Sequence, residues 1–231
     1  ENQDAWHADA GSGVFFVADG MGGHAAGKAA AGYLERFLPG TIRDAFLPRL
    51  GRSEAREKAA LVRTIGDFSA EMRDRAGAQP ALRGMGANLT LAVLDGRRVI
   101  LAWLGDSRAY LRLGDGFERC TRDHSLTARL VELGQLSLSE AAGHPLRSKV
   151  TRFVGQEGDA PAEVRFLRPA ASARLLLCTD GISSPLAESA IGAALTQEEA
   201  PESAARRLVS EALRAGGADN ATALVVDFVA G

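Results

Sequence analysis

The sequence has little that would tie it to nucleic acid or to a membrane. Its formal net charge is −2, and Lys28, Lys58 and Lys149 are the only lysines, so no basic stripe is present. No apolar run approaches the ~18 residues that span a bilayer, and no stretch has the pattern of a signal peptide. We therefore expect no nucleic-acid partner and no membrane segment within this chain.

Cysteine is also scarce. Cys120 and Cys178 lack the spacing of a metal or redox motif and lie beside apparent strands, where they serve as small core residues. This usage fits a reducing compartment, and we expect a cytoplasmic protein. The 231 residues are 46% hydrophobic and 24% charged, as in an ordinary globular protein, so we expect one domain over 1–231. Because the sequence begins at Glu1 rather than Met, it could be a piece of a longer protein.

The chain is organised around an apolar run that ends in an acid. Residues 14–17 read Val-Phe-Phe-Val, which is typical of a strand buried on both faces, and Asp19 follows. A carboxylate at the end of a buried strand is costly unless a partner neutralises it, and no Lys or Arg stands beside this one. Gly20, Gly22 and Gly23 then allow a sharp turn or the close approach of a ligand.

The same arrangement recurs further along the chain. The apolar run 175–178 precedes Asp180, and the run 99–104 precedes Asp106. Asp4 and Asp219 likewise stand at short polar turns. Carboxylate oxygens without a His or Cys cluster favour Mg²⁺ or Mn²⁺ over zinc, and converging acids can hold two ions about 3.5–4 Å apart. The alternative is a set of independent turn acids, because Asp-Gly alone is a common turn dipeptide.

The predicted elements are grouped rather than strictly alternating. Helices are predicted over 24–38, 53–76, 186–195 and 201–215. Strands are predicted over 14–19, 89–94, 99–104, 109–113, 117–120, 164–167, 174–178 and 221–229. Pro39 is expected to stop the first helix and Ser53 to cap the second, while residues 89–120 read as an antiparallel meander with a turn at 114–116. Two antiparallel sheets face to face, with helices outside, satisfy this grouping, so we predict an α+β fold, a four-layer α-β-β-α sandwich.

Several short motifs, taken in order, resemble those of one family. They are Asn2-Gln3-Asp4, Asp19-Gly20-Met21-Gly22-Gly23-His24, Gly84-Met85-Gly86, Gly105-Asp106-Ser107-Arg108-Ala109-Tyr110, Asp123-His124-Ser125, Thr179-Asp180-Gly181 and Asp219-Asn220-Ala221-Thr222. Each motif alone is weak evidence, but the motifs together and in this order resemble those of the PPM (PP2C-type) protein serine/threonine phosphatases, in their bacterial branch. The resemblance covers essentially the whole chain. It implies that residues from about 123 to 160 form a mobile flap near the active site, and we expect His124 to fix the entrance of that flap by hydrogen bonding.

The resemblance also implies a site. The implied metal ligands are Asp4, Asp19, Gly20, Asp106, Asp180 and Asp219, and the implied catalytic acids are Asp19, Asp106 and Asp180. Asp19 would bridge two ions, with the Gly20 carbonyl on one of them, and Asp180 and Asp219 would complete the other. Asp4 would act on or near a metal-bound water, and Asp106 would join Asp180 at a third, weaker ion.

The implied function is hydrolysis of phosphoserine or phosphothreonine on proteins by a metal-bridging water, with two to three Mn²⁺ or Mg²⁺ ions. Phosphorylated proteins would be the substrates of a monomer that opposes a bacterial Ser/Thr kinase. One alternative is a catalytically weak pseudophosphatase or partner-binding signalling domain of the same fold, although every candidate metal acid is present. A two-metal nuclease or another phosphoesterase is a second alternative, and the net charge counts against the nuclease.

Three departures from the family pattern bear on the chemistry. Met21 stands where eukaryotic relatives carry a His proposed as the general acid, so the proton donor would be His24 or a metal-bound water. The phosphate-binding Arg of the family lies before its Asn-Gln-Asp motif, which places it before Glu1. Ala87-Asn88 replaces the two small hydroxyl residues that usually follow the Gly-Met-Gly motif. We expect this last change to alter a strand-start contact rather than the chemistry.

Overall fold

The computed structural model describes residues 1–114 and 116–228, without the side chain of His24. The predictions that concern Asp115, Val229 and the His24 side chain therefore lie outside the described residues. Within the described ranges, no helix is both long enough and apolar enough to cross a membrane.

Two antiparallel sheets form the centre of the fold. The first sheet contains β1 (Asp4–Asp9), β2 (Val14–Met21), β3 (Gly86–Asp95), β4 (Arg98–Leu104) and β7 (Glu163–Leu167), paired in that order. The second contains β5 (Arg108–Leu113), β6 (Gly116–Arg119), β8 (Arg174–Cys178) and β9 (Ala223–Asp227), in the order β6-β5-β8-β9. Every pair of neighbouring strands is antiparallel.

The strands are connected by helices, some of which cover the outer faces of the two sheets. The helices are α1 (His24–Thr41), α2 (Glu54–Gly77), α3 (Leu126–Glu132), α4 (Leu138–Ala142), α5 (Asp180–Ser183), α6 (Glu188–Gln197) and α7 (Pro201–Arg214). One core lies between the first sheet and α1 and α2, where Phe16 and Phe68 are buried. A second lies between the sheets around Val17, and a third lies between the second sheet and α6 and α7 around Leu176. These layers confirm the predicted α+β sandwich.

The organising strand is buried on both faces, as predicted, but it continues beyond Asp19. Phe16 faces the helical core, whereas Val17 faces the core between the sheets. Gly20 and Met21 still pair with β3, so the strand extends to Met21. The sharp turn follows at Gly22 and Gly23, whose φ angles of +110° and +90° favour glycine.

The expected end of α1 at Pro39 is wrong. The helix includes Pro39 and ends at Thr41, and the chain then forms a π-helical turn (Ile42–Phe46) and a 3₁₀ turn (Leu47–Arg49). Leu38, Ile42 and Phe46 are fully buried in the helical core. The burial of these side chains offsets the hydrogen bond that the proline cannot donate.

Two smaller expectations are also corrected. The strands of residues 86–119 do not form one meander, because β4 pairs with β3 and β7 while β5 pairs with β6 and β8 in the other sheet. Ser53 precedes α2, but its side chain makes no capping hydrogen bond. Its carbonyl instead accepts hydrogen bonds from the backbone N–H groups of Arg56 and Glu57.

The stretch 123–160, called the flap here, contains α3 and α4 and is attached to the sheets at both ends. At its start, the backbone N–H of His124 donates a hydrogen bond of 2.9 Å to the carbonyl of Gly105. The side-chain Nδ1 of His124 accepts one of 3.2 Å from the backbone N–H of Gly105. Near its end, Val154 pairs with Ala87 at the start of β3. The expected hydrogen-bonding role of His124 is therefore confirmed, while the boundaries and mobility of the flap stay predictions.

A buried ion pair gives a direct test of the packing between α2 and the first sheet. The Glu57 side chain is fully buried and accepts hydrogen bonds of 2.7 and 3.0 Å from Arg98. Replacing Arg98 with Met should lower the free energy of unfolding by about 3–5 kcal/mol, because it leaves a buried carboxylate unpaired. Urea unfolding measures this loss. The control is Arg206→Met, which breaks an exposed pair with Glu202; equal losses in the two variants would contradict the prediction.

Candidate active site

The site begins as a row of polar residues across the end of the first sheet. In the strand register, Asp4 stands opposite Asp19, and Asp19 stands opposite Asn88. Residues directly opposite on antiparallel strands have their Cβ atoms about 4.5–5.5 Å apart on the same face. Val17 is two residues before Asp19 and faces the second sheet. The row therefore lies between the two sheets at one end of the sandwich.

The second sheet reaches this row through threonine hydroxyls. Oδ2 of Asp4 accepts a hydrogen bond of 2.8 Å from the hydroxyl of Thr179 and one of 2.7 Å from that of Thr222. The backbone N–H of Thr179 in turn donates to the carbonyl of Thr222. Asp180 follows immediately and begins α5. Asp4 thus joins the ends of the two sheets, and its Oδ1 is buried without a hydrogen-bond partner.

Asn88 links two of the predicted acids. Its Nδ2 donates hydrogen bonds to Oδ2 of Asp19 at 3.1 Å and to Oδ1 of Asp106 at 2.8 Å. The Ala87-Asn88 change therefore concerns a contact at the start of β3, as expected, but this contact is with two of the candidate site acids. That the change leaves the chemistry unaltered stays a prediction. The departure from the family motif at Asn88 was the signal in the sequence for this contact. The contact itself could not be predicted, because it depends on the strand register that places Asn88 opposite Asp19.

A cleft of about 390 Å³ collects most of the predicted positions. Its lining residues are Gln3, Asp19, Gly20, Met21, Asn88, Asp106, Ser148, Lys149, Val150, Asp180 and Asp219. Asp4 lines a larger cavity of about 480 Å³ beside Trp6, where Glu35 is the other acid. We assign the site to the smaller cleft because the acids converge there.

Burial and mutual repulsion both disfavour the charged forms of these acids. Burial, followed by the charges of Asp180, Asp4 and Asp106, raises the pKa of Asp19 to about 8. Burial, followed by the charge of Asp180, raises the pKa of Asp106 to about 7. Burial, followed by the charge of Asp219, raises the pKa of Asp180 to about 6. Burial also raises the pKa of Asp4. A cation in the cleft would reverse these shifts, and such perturbed groups are typical of functional sites.

The chemistry of these residues fits a divalent cation. The acids of the cleft supply only hard oxygen donors, and the buried Oδ1 of Asp4 has no other partner. Among the described residues, no three His, Cys, Asp or Glu side chains already stand in the arrangement of a metal site. The fit therefore rests on donor type and convergence, and the individual ligand assignments are proposals.

Comparison with known proteins decides the family. The model of the family described as "Protein phosphatase 2C" matches residues 1–226. The chain belongs to the protein phosphatase 2C family. The serine/threonine protein phosphatase PstP of Mycobacterium tuberculosis is 36% identical over 236 residues, which cover 99% of this chain and 42% of PstP. The serine/threonine phosphatase stp of Listeria innocua is 33% identical over 215 residues, covering 93% of this chain and 84% of stp. The chain thus spans less than half the length of PstP.

Solved structures of phosphatases in this family share the fold. A crystal structure of PstP/Ppp from M. tuberculosis has a TM-score of 0.84 at 34% identity and covers 100% of this chain and 93% of that one. The PstP catalytic domain in complex with two manganese ions has a TM-score of 0.82 at 32% identity, with coverage of 100% and 93%. The predicted family and fold are therefore confirmed.

The raised pKa values predict how pH affects the metal-free protein. With a folded pKa of about 8 against an ordinary value of 3.8, Asp19 keeps its proton in the folded state and loses it in the unfolded state. The stability that Asp19 contributes is therefore complete below pH ~4 and is lost as the pH rises through about 8. Asp19→Asn should flatten this decline and raise the Tm in EDTA at pH 8 above that of the wild type.

Circular dichroism melting in EDTA from pH 5 to pH 8 measures the effect. Asp44→Asn is the control, since Asp44 is an exposed residue outside the cleft. A wild-type Tm that does not fall over this range, or an equally steep fall in Asp19→Asn, would refute the prediction.

Proposed function

We propose that this chain is a metal-dependent protein phosphatase that hydrolyses phosphoserine and phosphothreonine on proteins. The observation that carries the proposal is the convergence of Asp19, Asp106, Asp180 and Asp219 on one cleft. Membership of a family whose relatives are serine/threonine phosphatases supports the choice of substrate. Its substrates are phosphoproteins, and it opposes a bacterial Ser/Thr kinase as a cytoplasmic monomer.

Two to three Mn²⁺ or Mg²⁺ ions would be held by the acids of the cleft and by the adjoining Asp4. Asp19 lies centrally, because its carboxylate interacts with Asp4, Asp106 and Asp180 alike. Asp180 and Asp219 would hold one ion and Asp106 with Asp180 another, with the Gly20 carbonyl as a further ligand. When bound, such ions supply an activated water and neutralise the charge that develops on the phosphoryl oxygens.

The residues of the chain have separate tasks in this reaction. Oδ2 of Asp4 is fixed by Thr179 and Thr222, so Oδ1 is left to accept a hydrogen bond from a water in the site. The serine or threonine leaving group must receive a proton, because its alkoxide is a poor leaving group at neutral pH. Met21 lines the cleft but has no proton to give. The proton donor would be either His24, which is near in sequence, or a metal-bound water.

Lys149 supplies positive charge at the mouth of the cleft. It is exposed on the flap and lines the same cleft as the acids. Its backbone is fixed, because its N–H donates to the carbonyl of Leu146 and its carbonyl accepts from the N–H of Leu126. An ammonium group in this position attracts the phosphate dianion of a substrate toward an otherwise acidic site.

The activity test uses phosphate release from a phosphothreonine peptide. The wild type should require Mn²⁺ or Mg²⁺ and lose activity in EDTA. Asp19→Asn and Asp180→Asn should each lower kcat/KM by about a thousandfold, since a lost ligand removes several kcal/mol of charge stabilisation. Asp44→Asn, outside the cleft, serves as the control. Metal-independent turnover, or near-wild-type turnover in either site variant, would overturn the proposal, and peptide binding without turnover would indicate a pseudophosphatase.

A second test concerns the role of Lys149. Lys149→Gln should raise KM for the phosphopeptide about fivefold at low salt with little change in kcat, because one charge interaction of ~1 kcal/mol is lost. The difference from wild type should shrink as salt is added. Steady-state kinetics at two ionic strengths measure both effects. Lys58→Gln, on the exposed face of α2, is the matched control. An equal KM in the Lys149 and Lys58 variants would contradict this role.

A further inference from the structure

Asn88 occupies a position in the site that none of the expected ligand roles explains. It is only 2% exposed and lies on β3, between β2 and β4. A primary amide nitrogen carries two hydrogens, and here they point to two different carboxylates, those of Asp19 and Asp106. Each of these carboxylates therefore has one oxygen engaged by the amide, which leaves its second oxygen for another partner.

The surrounding backbone leaves room for this amide. Gly105 has a φ of +107°, and a Cβ on it would stand 2.0 Å from Oδ1 of Asn88 and 2.5 Å from Cγ. A side chain at residue 105 would therefore displace the amide. The amide orientation is also determined by its neighbours, because the opposite flip would place Oδ1 against two carboxylate oxygens. Oδ1 itself is buried without a hydrogen-bond partner. Within the described residues, the side-chain hydrogen bonds that hold Asn88 in this orientation are thus those to the two acids.

Resting on the proposed function, we propose that Asn88 is a positioning residue that sets the divalent-cation affinity of the site. By donating to Asp19 and Asp106 together, it holds the two carboxylates in one arrangement and presents one free oxygen of each toward the cleft. A serine or threonine hydroxyl at residue 88 has a single hydrogen and can donate to only one of the two acids. Asn88 thus joins two acids that a hydroxyl residue would leave separate.

Binding of Mn²⁺ to the metal-free protein, measured by isothermal titration calorimetry, tests this role without relying on activity. Asn88→Leu has nearly the same shape and removes both donors, and we expect its Mn²⁺ affinity to fall about tenfold, the size typical of a lost outer partner of a metal ligand. Asn88→Thr keeps one donor, and we expect its Mn²⁺ affinity to fall about threefold. Asn88→Ala gives the same information as the leucine variant if leucine disturbs folding.

Thr90→Val is the matched control. Thr90 lies two residues along the same face of β3, is fully buried, and donates a hydrogen bond of 2.8 Å to the carbonyl of Ser107. Its replacement removes a buried hydrogen bond between β3 and the 105–107 turn without touching an acid. We therefore expect a lower Tm for Thr90→Val but an unchanged Mn²⁺ affinity.

The outcomes separate this inference from the proposed function. Wild-type protein that binds no Mn²⁺ would reject the proposed function and this inference with it. Wild-type protein that binds Mn²⁺, with Asn88→Leu or Asn88→Ala binding it equally well, would reject the inference alone. A loss of affinity in Thr90→Val as large as in Asn88→Leu would show a general effect of packing and would also reject the positioning role.

Discussion

The main physical constraint on this structure is electrostatic, because the fold brings several buried carboxylates together at one end of the sandwich. Burial and mutual repulsion raise the pKa of Asp19 to about 8, and Asp106 and Asp180 are raised as well. No basic side chain is bonded to any of these three in the described part of the chain. Such an arrangement is unfavourable for folding alone, and it becomes favourable when cations bind the folded form. Under the proposed function, the same charges that weaken the metal-free protein would attract divalent ions to the cleft.

The two sheets must stack before this site exists. Asp4 comes from the first sheet, whereas the hydroxyls of Thr179 and Thr222 that fix it come from the end of the second. The core between the sheets, around Val17 and Leu177, determines how the two ends meet. Packing far from the cleft therefore fixes the geometry of the acids, which lie at strand ends and turns supported by that core.

The sequence was enough to predict the acids and the layers, but not the contacts between them. Apolar runs that end at Asp19 and Asp180 are local patterns, and they predicted both the strands and the acidic residues. The role of Asn88 depends on the pairing of β2 with β3, which is a long-range property. The helix end at Pro39 was wrong for a similar reason, because the burial of Ile42 and Phe46 outweighs the local preference of proline. In both cases, local sequence preference gives the wrong or an incomplete prediction because contacts between distant residues determine the structure.

The attachment of the flap has a consequence for how relatives can diverge. Its two ends are held by the backbone of Gly105 and of Ala87, immediate neighbours of Asp106 and Asn88. The residues between those anchors contribute only Ser148, Lys149 and Val150 to the cleft. Insertions or exchanges between the anchors can therefore change the wall of the cleft while the acids stay in place. Under the proposed function, evolution, or an engineer grafting one flap onto another, would alter substrate selectivity separately from the acids that carry out hydrolysis.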